Sequence, residues 1–319
     1  MQLKCSLAIL STLLTVVTIL TCKSLLHVDA RDAFQSRHQQ NFVHSTDIQK
    51  SRLAETSYED SDIVKVVTTK NVVFRDKLRS RLLGTGTATL DMTATRILLA
   101  FSMMTEKRND EGVMRVLDVG GGAGFHFFIA KAAIFGDSGA GRSEERRTSS
   151  SSKKSPIELQ WRVVETPSMV KGAKARGLEE RGLRFFDDIR AAAQSLGNID
   201  LILASSSLQY FPDPIAALRD MIGVQASYLF ITRTPLSLQG TMRKMQTSRL
   251  GDNGPGPLPS ELSSLDRDIT FPITYPDKKD IEAVLRTRYN ILVRFHEERS
   301  SFGSGLQRYD NYGYFCRLQ

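Results

Sequence analysis

Between Arg115 and Thr232 the sequence repeats one unit, a short run rich in Val, Ile and Leu followed by a segment with helical spacing. Strands are read at Arg115–Val119, Leu159–Glu165, Leu183–Phe186, Ile199–Ala204 and Tyr228–Thr232. Helices are read at Phe125–Phe135, Ser168–Arg176, Asp188–Ser195 and Pro214–Ile222. Apolar strands alternating with helices demand a parallel sheet buried on both faces, because every crossover helix covers one face. Two helix starts are explicit: Asp213 before Pro214 and Thr166 before Pro167 each place a capping side chain ahead of a proline in the first turn. A helix carrying Ile281, Val284 and Leu285, then strands Tyr289–Phe295 and Asn311–Leu318, complete the pattern. The expected fold is α/β, a seven-stranded, mostly parallel sheet with helices on both faces.

Charge does not point elsewhere. The formal net charge is +8, from 43 Lys+Arg against 35 Asp+Glu, which raises a nucleic-acid reading. Part of that excess sits in Gly136–Pro156, where Arg142, Arg146, Arg147, Lys153 and Lys154 flank the run Ser149–Ser152. So few apolar residues cannot offset the entropy of ordering a chain, so the segment at about 136–156 is read as a disordered insertion. A nucleic-acid partner is therefore not expected. With 41% hydrophobic residues in 319, there is enough apolar material for one large domain.

The N-terminus speaks of address. Cys5–Cys22 is a mostly apolar run of 18 residues between Lys4 and Lys23. As a helix it would span about 27 Å, just short of a bilayer core of about 30 Å. Val28 and Ala30 occupy the minus-three and minus-one places of a signal-peptidase site. Residues 1–30 are thus expected to be a signal peptide or signal anchor. The protein would enter the secretory pathway lumen or be secreted, with anchoring to the membrane through residues 5–22 as the alternative. Residues 31–84 read as a polar stem and an N-terminal helical region, and 85–319 as the main domain. The stretches Val64–Val67 and Thr93–Met104 are expected to be helices covering one edge of the sheet. With three Cys and dispersed His27, His38, His44 and His296, no metal site is expected.

The chemistry is concentrated at Val116-Leu117-Asp118-Val119-Gly120-Gly121-Gly122-Ala123-Gly124, a strand running into a glycine turn and a helix. Glycines let backbone pass close to a ligand at the carboxyl end of a strand, where open α/β sheets of the Rossmann-like kind bind theirs. The spacing is Asp-x-Gly-x-Gly-x-Gly. A dinucleotide fingerprint would need glycine where Phe125 stands, and a phosphate loop would need the missing Gly-Lys-Ser/Thr. An acid at this strand end suits a ligand carrying an ammonium group better than one carrying a pyrophosphate. Glu165 closes the second strand 47 residues beyond Asp118, a normal interval once the insertion is removed. Asp187 or Asp188 follows the third strand, one of them free to meet a ligand and the other a helix cap.

The first motif resembles that of class I S-adenosylmethionine-dependent methyltransferases. The resemblance sharpens to a methyltransferase family, mostly bacterial and associated with surface-polysaccharide genes. It rests on Leu117–Gly122, Trp161-Arg162-Val163-Val164-Glu165-Thr166-Pro167, Ser206–Tyr210 and Arg233-Thr234-Pro235, with Gln246 matching a downstream glutamine. The sequence departs from that family around Phe271–Thr274, where Thr274 stands in place of an aromatic. The resemblance implies S-adenosyl-L-methionine as cofactor, bound by Asp118, Gly120, Gly122, Gly124, Glu165, Asp187 and Ser205. It also implies a small-molecule or glycan acceptor, methylated on oxygen. Tyr210 and His126 are the candidate bases, and Arg233 the candidate partner for an acidic acceptor. Two other readings stay open: an NAD-binding oxidoreductase, and a catalytically inactive cofactor-binding partner protein.

Overall fold

Five strands, β1 (Val113–Val119), β2 (Glu158–Val164), β3 (Leu183–Phe186), β4 (Leu201–Ser205) and β5 (Tyr228–Ser237), pair in parallel in the order β3-β2-β1-β4-β5. The computed structural model describes residues 58–82, 92–104, 112–134, 158–299 and 309–319. The expectations for residues 1–57 and 136–156 therefore fall outside the described residues. β8 (Tyr289–Arg299) and β9 (Tyr309–Leu318) return antiparallel, β9 inserted between β5 and the edge strand β8. The seven-stranded, mostly parallel sheet is the one the alternating pattern predicts.

Period-two alternation along the strands sorts the core into two layers. Val116, Trp161, Val163, Leu203 and Phe230 pack with α1 (Ser61–Leu82), α2 (Met92–Met103), α3 (Phe125–Ile134) and α4 (Pro167–Ala175). Leu117, Val119, Ile202, Ala204 and Ile231 pack with α5 (Ile189–Leu196), α6 (Pro214–Gly223) and α7 (Lys278–Leu285). The caps form as read: Thr166 Oγ1 accepts from Met169 N, and Asp213 Oδ1 from Ile215 N and Ala216 N.

Two features differ from expectation. β6 (Met242–Arg249) and β7 (Asp268–Tyr275) form a separate antiparallel hairpin where no strand was read. Ile269, Phe271, Ile273 and Tyr275 do alternate, but Pro272 between them weakens a strand signal, and β6 carries three cations in eight residues. The second difference is α1, which packs chiefly against the covering helices α3 and α4 and adds Ile63, Val64, Val66, Val67 and Leu78 to the same core.

The loop at the hairpin's far end clasps α1. Arg267 pairs with Asp62 at 3.0 Å and Asp60 at 3.4 Å, Lys70 Nζ donates to Gly251 O at 2.7 Å, and Tyr58 Oη donates to Asn253 Oδ1 at 3.5 Å. Among the described residues no helix is long and apolar enough to cross a membrane.

Two predictions test this packing. A Cβ on Gly172 of α4 would stand 2.5 Å from Val64 Cγ1 on α1, and a β-branched neighbour cannot swing away. Alanine in a helix normally gains about 1 kcal/mol over glycine, but overpacking costs about 1–3 kcal/mol. Gly172→Ala is therefore expected to destabilise the protein in denaturant unfolding, the reverse of the usual sign. Lys70 is 2% exposed, and burial pushes its ammonium down to about 8. Between that value and its unfolded value of 10.5, the unfolded chain holds a proton that the folded chain does not, so stability rises with pH across the window. Relative to Lys70→Met, the parent is expected to gain up to about 3 kcal/mol between pH 8 and 10.5 in unfolding titrations.

Candidate ligand site at the switch point

The strand order reverses between β1 and β4, and in open α/β sheets a ligand crevice forms outside the carboxyl ends of the strands at such a point. Here the β1 end is the glycine turn, Gly120–Gly124, and the β4 end is Ser205, Ser206, Ser207 and the 3₁₀ turn Leu208–Tyr210.

Most of the glycines answer to the protein's own packing. A Cβ on Gly120 would overlap Ser207 Cβ, one on Gly121 would enter the Asp118 carboxylate, and one on Gly124 would stand 3.0 Å from Leu183. Gly122 differs. Its φ is +58°, the nearest atom to its would-be Cβ is Val67 Cγ1 at 3.8 Å, and its N–H donates to Glu165 Oε1 at 2.9 Å. Of the turn's glycines, Gly122 alone has space above it.

Asp118 is placed otherwise than the charge argument expected. It is 0% exposed, beneath the turn instead of at its mouth. Trp161 Nε1 donates to Oδ2 at 3.1 Å, and His126 Nδ1 lies 3.0 Å from Oδ2 and 3.2 Å from Oδ1. The helix geometry explains this: His126 stands in the first turn of α3, and helical side chains lean toward the N-terminus, here the end of β1. The carboxylate ties β1, β2 and α3 together. His126, 6% exposed, belongs to the same buried cluster.

Glu165 holds the position read for it, at the end of β2 beside the turn. Oε2 accepts from Thr166 N at 3.0 Å and Oε1 from Gly122 N. Burial raises its pKa, and the two backbone N–H groups pull it back. A carboxylate offers about four acceptor positions, so two remain for a ligand's hydroxyls. The Asp187/Asp188 alternative is decided by a cap: Asp188 Oδ1 accepts from Ala191 N at 2.7 Å, leaving Asp187 exposed at the β3 end.

On the β4 side, Ser205 Oγ, Ser207 Oγ and Gln209 Oε1 are buried without a hydrogen-bond partner among the described residues. Buried polar groups are nearly always paired, so three orphans at one strand end mark a place where a ligand or water supplies the missing partners. Tyr210 packs its ring 5.1 Å from Tyr58 and 5.6 Å from Phe271, which are 5.9 Å from each other. Burial, then the Tyr210 hydroxyl, hold the Tyr58 phenol well above its usual pKa.

Arg233 is exposed on a bulge of β5, with φ +56°. Its N–H donates to Glu297 Oε2 at 2.6 Å. The Glu297 side chain, 2% exposed, also accepts from Thr232 Oγ1 and pairs with Arg96 at 3.3 Å. This carboxylate holds the strained turn that turns Arg233 outward. Sequence reasoning missed Glu297, Tyr58 and the hairpin. An acid in an exposed-looking strand, Phe295-His296-Glu297-Glu298, carries no mark of burial. Among the described residues no cluster is suited to a metal ion.

No family model matches the sequence, and no curated protein is similar to it. Solved structures similar to this chain include the N-terminal domain of EvdMO1 with SAH bound, 13% identical over 70% of this chain and 81% of that one, at a TM-score of 0.39. The glycopeptide N-methyltransferase MtfA complexed with S-adenosyl-L-methionine is 10% identical over 70% and 87%, at 0.38. The N-methyltransferase NodS from Bradyrhizobium japonicum WM9 in complex with S-adenosyl-L-homocysteine is 14% identical over 76% and 97%, also at 0.38. Likenesses this distant say nothing of the chemistry of this chain's own residues.

Asp118→Ala tests the buried cluster. Removing the carboxylate would leave the Trp161 indole N–H buried without its partner, at a cost of about 1–3 kcal/mol. Chemical denaturation should show that loss. A variant as stable as the parent would show that the carboxylate does not hold the cluster.

Proposed function

We propose that the protein is an S-adenosylmethionine-dependent methyltransferase acting on the oxygen of a glycan or small-molecule acceptor. The observation that carries the reading is Glu165 beside Gly122 at the switch point, with Ser205 and Ser207 unpartnered across it. A carboxylate with spare acceptor positions at the end of β2 suits the vicinal hydroxyls of a nucleoside. The bare turn at Gly122 admits a close approach, Asp187 stands beyond it at β3, and the seryl hydroxyls at β4 suit the polar end of a cofactor. Asp118 has no part in that grip beyond holding the floor of the turn.

When bound, S-adenosylmethionine supplies an already activated methyl group. The chain's own contribution is alignment and the exclusion of water, effects worth up to about 7–11 kcal/mol in favourable systems. The hairpin, α1 and the cluster of Tyr58, Tyr210 and Phe271 provide the cover. Of the two base candidates, Tyr210 stands in this cluster on the acceptor side, whereas His126 is committed through Nδ1 to Asp118. Arg233 stands exposed on the β5 bulge, outside the buried part of the site. In this reading the protein works in the secretory pathway or outside the cell, with the apolar run at residues 5–22 as leader or anchor.

Calorimetry with S-adenosylmethionine, its demethylated product and NAD tests the cofactor. The parent is expected to bind the first two and not NAD. Glu165→Gln should weaken both by about tenfold or more, since a neutral amide accepts hydroxyl protons less strongly than a carboxylate. Binding of NAD alone would establish the oxidoreductase reading in its place.

A further inference from the structure

Gln246 sits mid-strand in β6, opposite Phe271 of β7, and residues opposite one another in an antiparallel pair point to the same face. That face carries Ile269, Phe271, Ile273 and Tyr275, all buried, and Phe271 meets Tyr210 and Tyr58. Gln246 is thus directed with Phe271 toward the aromatic cluster. It is 5% exposed, and its carboxamide makes no hydrogen bond among the described residues. Across the cluster, Gln209 is 3% exposed. Its Nε2 donates to Ser206 Oγ at 2.9 Å, and its Oε1 has no partner among the described residues.

Both side chains are neutral. A carboxamide offers two donors and an acceptor, so the pair matches a ligand that donates and accepts at several points without charge. The carboxamides themselves offer no charge to balance an ionised group, and the cation on the same face, Lys244, is turned over the rings of Tyr275 and Tyr309. The rings of Tyr210 and Phe271 provide apolar surface for the C–H faces of the same ligand.

We infer that Gln246 and Gln209 are the specificity-determining pair for the acceptor, and that the part of it buried beneath the hairpin is a neutral polyhydroxylated ring or chain. The inference rests on the methyltransferase reading and narrows it. In the transfer, an acceptor hydroxyl oxygen gains the methyl as the sulfur–carbon bond breaks, and the hydroxyl proton leaves to a base or to solvent. The carboxamides bind and orient the other hydroxyls.

The test uses the full chain, S-adenosylmethionine, and three sets of probes. The first is neutral polyols (methyl hexopyranosides, myo-inositol and glycerol), the second glucuronate, and the third amines (glycine and imidazole). Cofactor binding is measured separately by calorimetry, and transfer by release of demethylated cofactor and the mass of the product. Transfer to at least one neutral polyol is expected. In Gln246→Leu its kcat/KM should fall by about tenfold or more, through KM, with cofactor affinity unchanged. The melting temperature should not fall, because the Gln246 carboxamide has no hydrogen bond among the described residues to lose. A merely structural glutamine would show the opposite, lower stability with KM unmoved. Gln209→Met should repeat the KM effect if Gln246→Leu fails to fold. A cofactor-loaded protein that methylates no polyol overturns the inference, as does transfer confined to glucuronate or the amines, or polyol transfer indifferent to both substitutions. Failure of the parent to bind S-adenosylmethionine overturns the cofactor reading first.

Discussion

A carboxylate without water around it sets the geometry of everything above the sheet. Asp118 reaches up from β1, takes the indole N–H of Trp161 from β2 and the imidazole of His126 from α3, and so fixes how the helix leaves the turn. A carboxyl group so deeply buried is tolerated only where polar partners surround it, and truncating one of them leaves another buried group unpaired. Gly121 has no side chain because that carboxylate occupies the space, and Gly120 has none because Ser207 does. The turn that looks like a ligand cradle is, for most of its length, a packing solution that leaves one opening at Gly122.

From that opening the site grows sideways. Glu165 is drawn to the Gly122 N–H from β2, the orphaned hydroxyls stand on β4, and Tyr210 follows one turn later. Above them the roof comes from two parts of the chain that the sheet does not contain, α1 and the β6–β7 hairpin. A ligand between floor and roof meets backbone on one side and rings and carboxamides on the other. In the proposed reading the ends of β1 and β2 serve the cofactor, and the turn Leu208–Tyr210 together with the added elements serves the acceptor.

Legibility in the sequence followed how local the governing physics is. Strand and helix positions from β1 to β5 were readable because burial on both faces writes an unbroken apolar run, and because Asp213 and Thr166 announce their helices. Glu165, Ser205 and Tyr210 were readable because each closes a strand or opens a turn. Asp118 was found, but its direction was not: whether an acid at a strand end faces up or inward is decided by Trp161, 43 residues away. Glu297 was invisible for the same reason, its partners lying on β5 and α2. The hairpin escaped notice because β6 presents cations to solvent and Pro272 interrupts β7, although the Ile269–Tyr275 alternation was there to be seen.

The clasp between Arg267 and Asp60/Asp62 joins positions separated by more than 200 residues, and that separation has a consequence for biosynthesis. At ribosomal rates of about 5–20 residues per second, α1 waits on the order of 10–40 s before its counterpart emerges. During that delay the apolar stripe through Val64 and Val67 has only part of its cover. The parallel sheet can assemble meanwhile, so the chamber completes its ceiling late. A nascent protein stalled before residue 267 would hold the floor and only part of the roof, with α1 lacking its clasp.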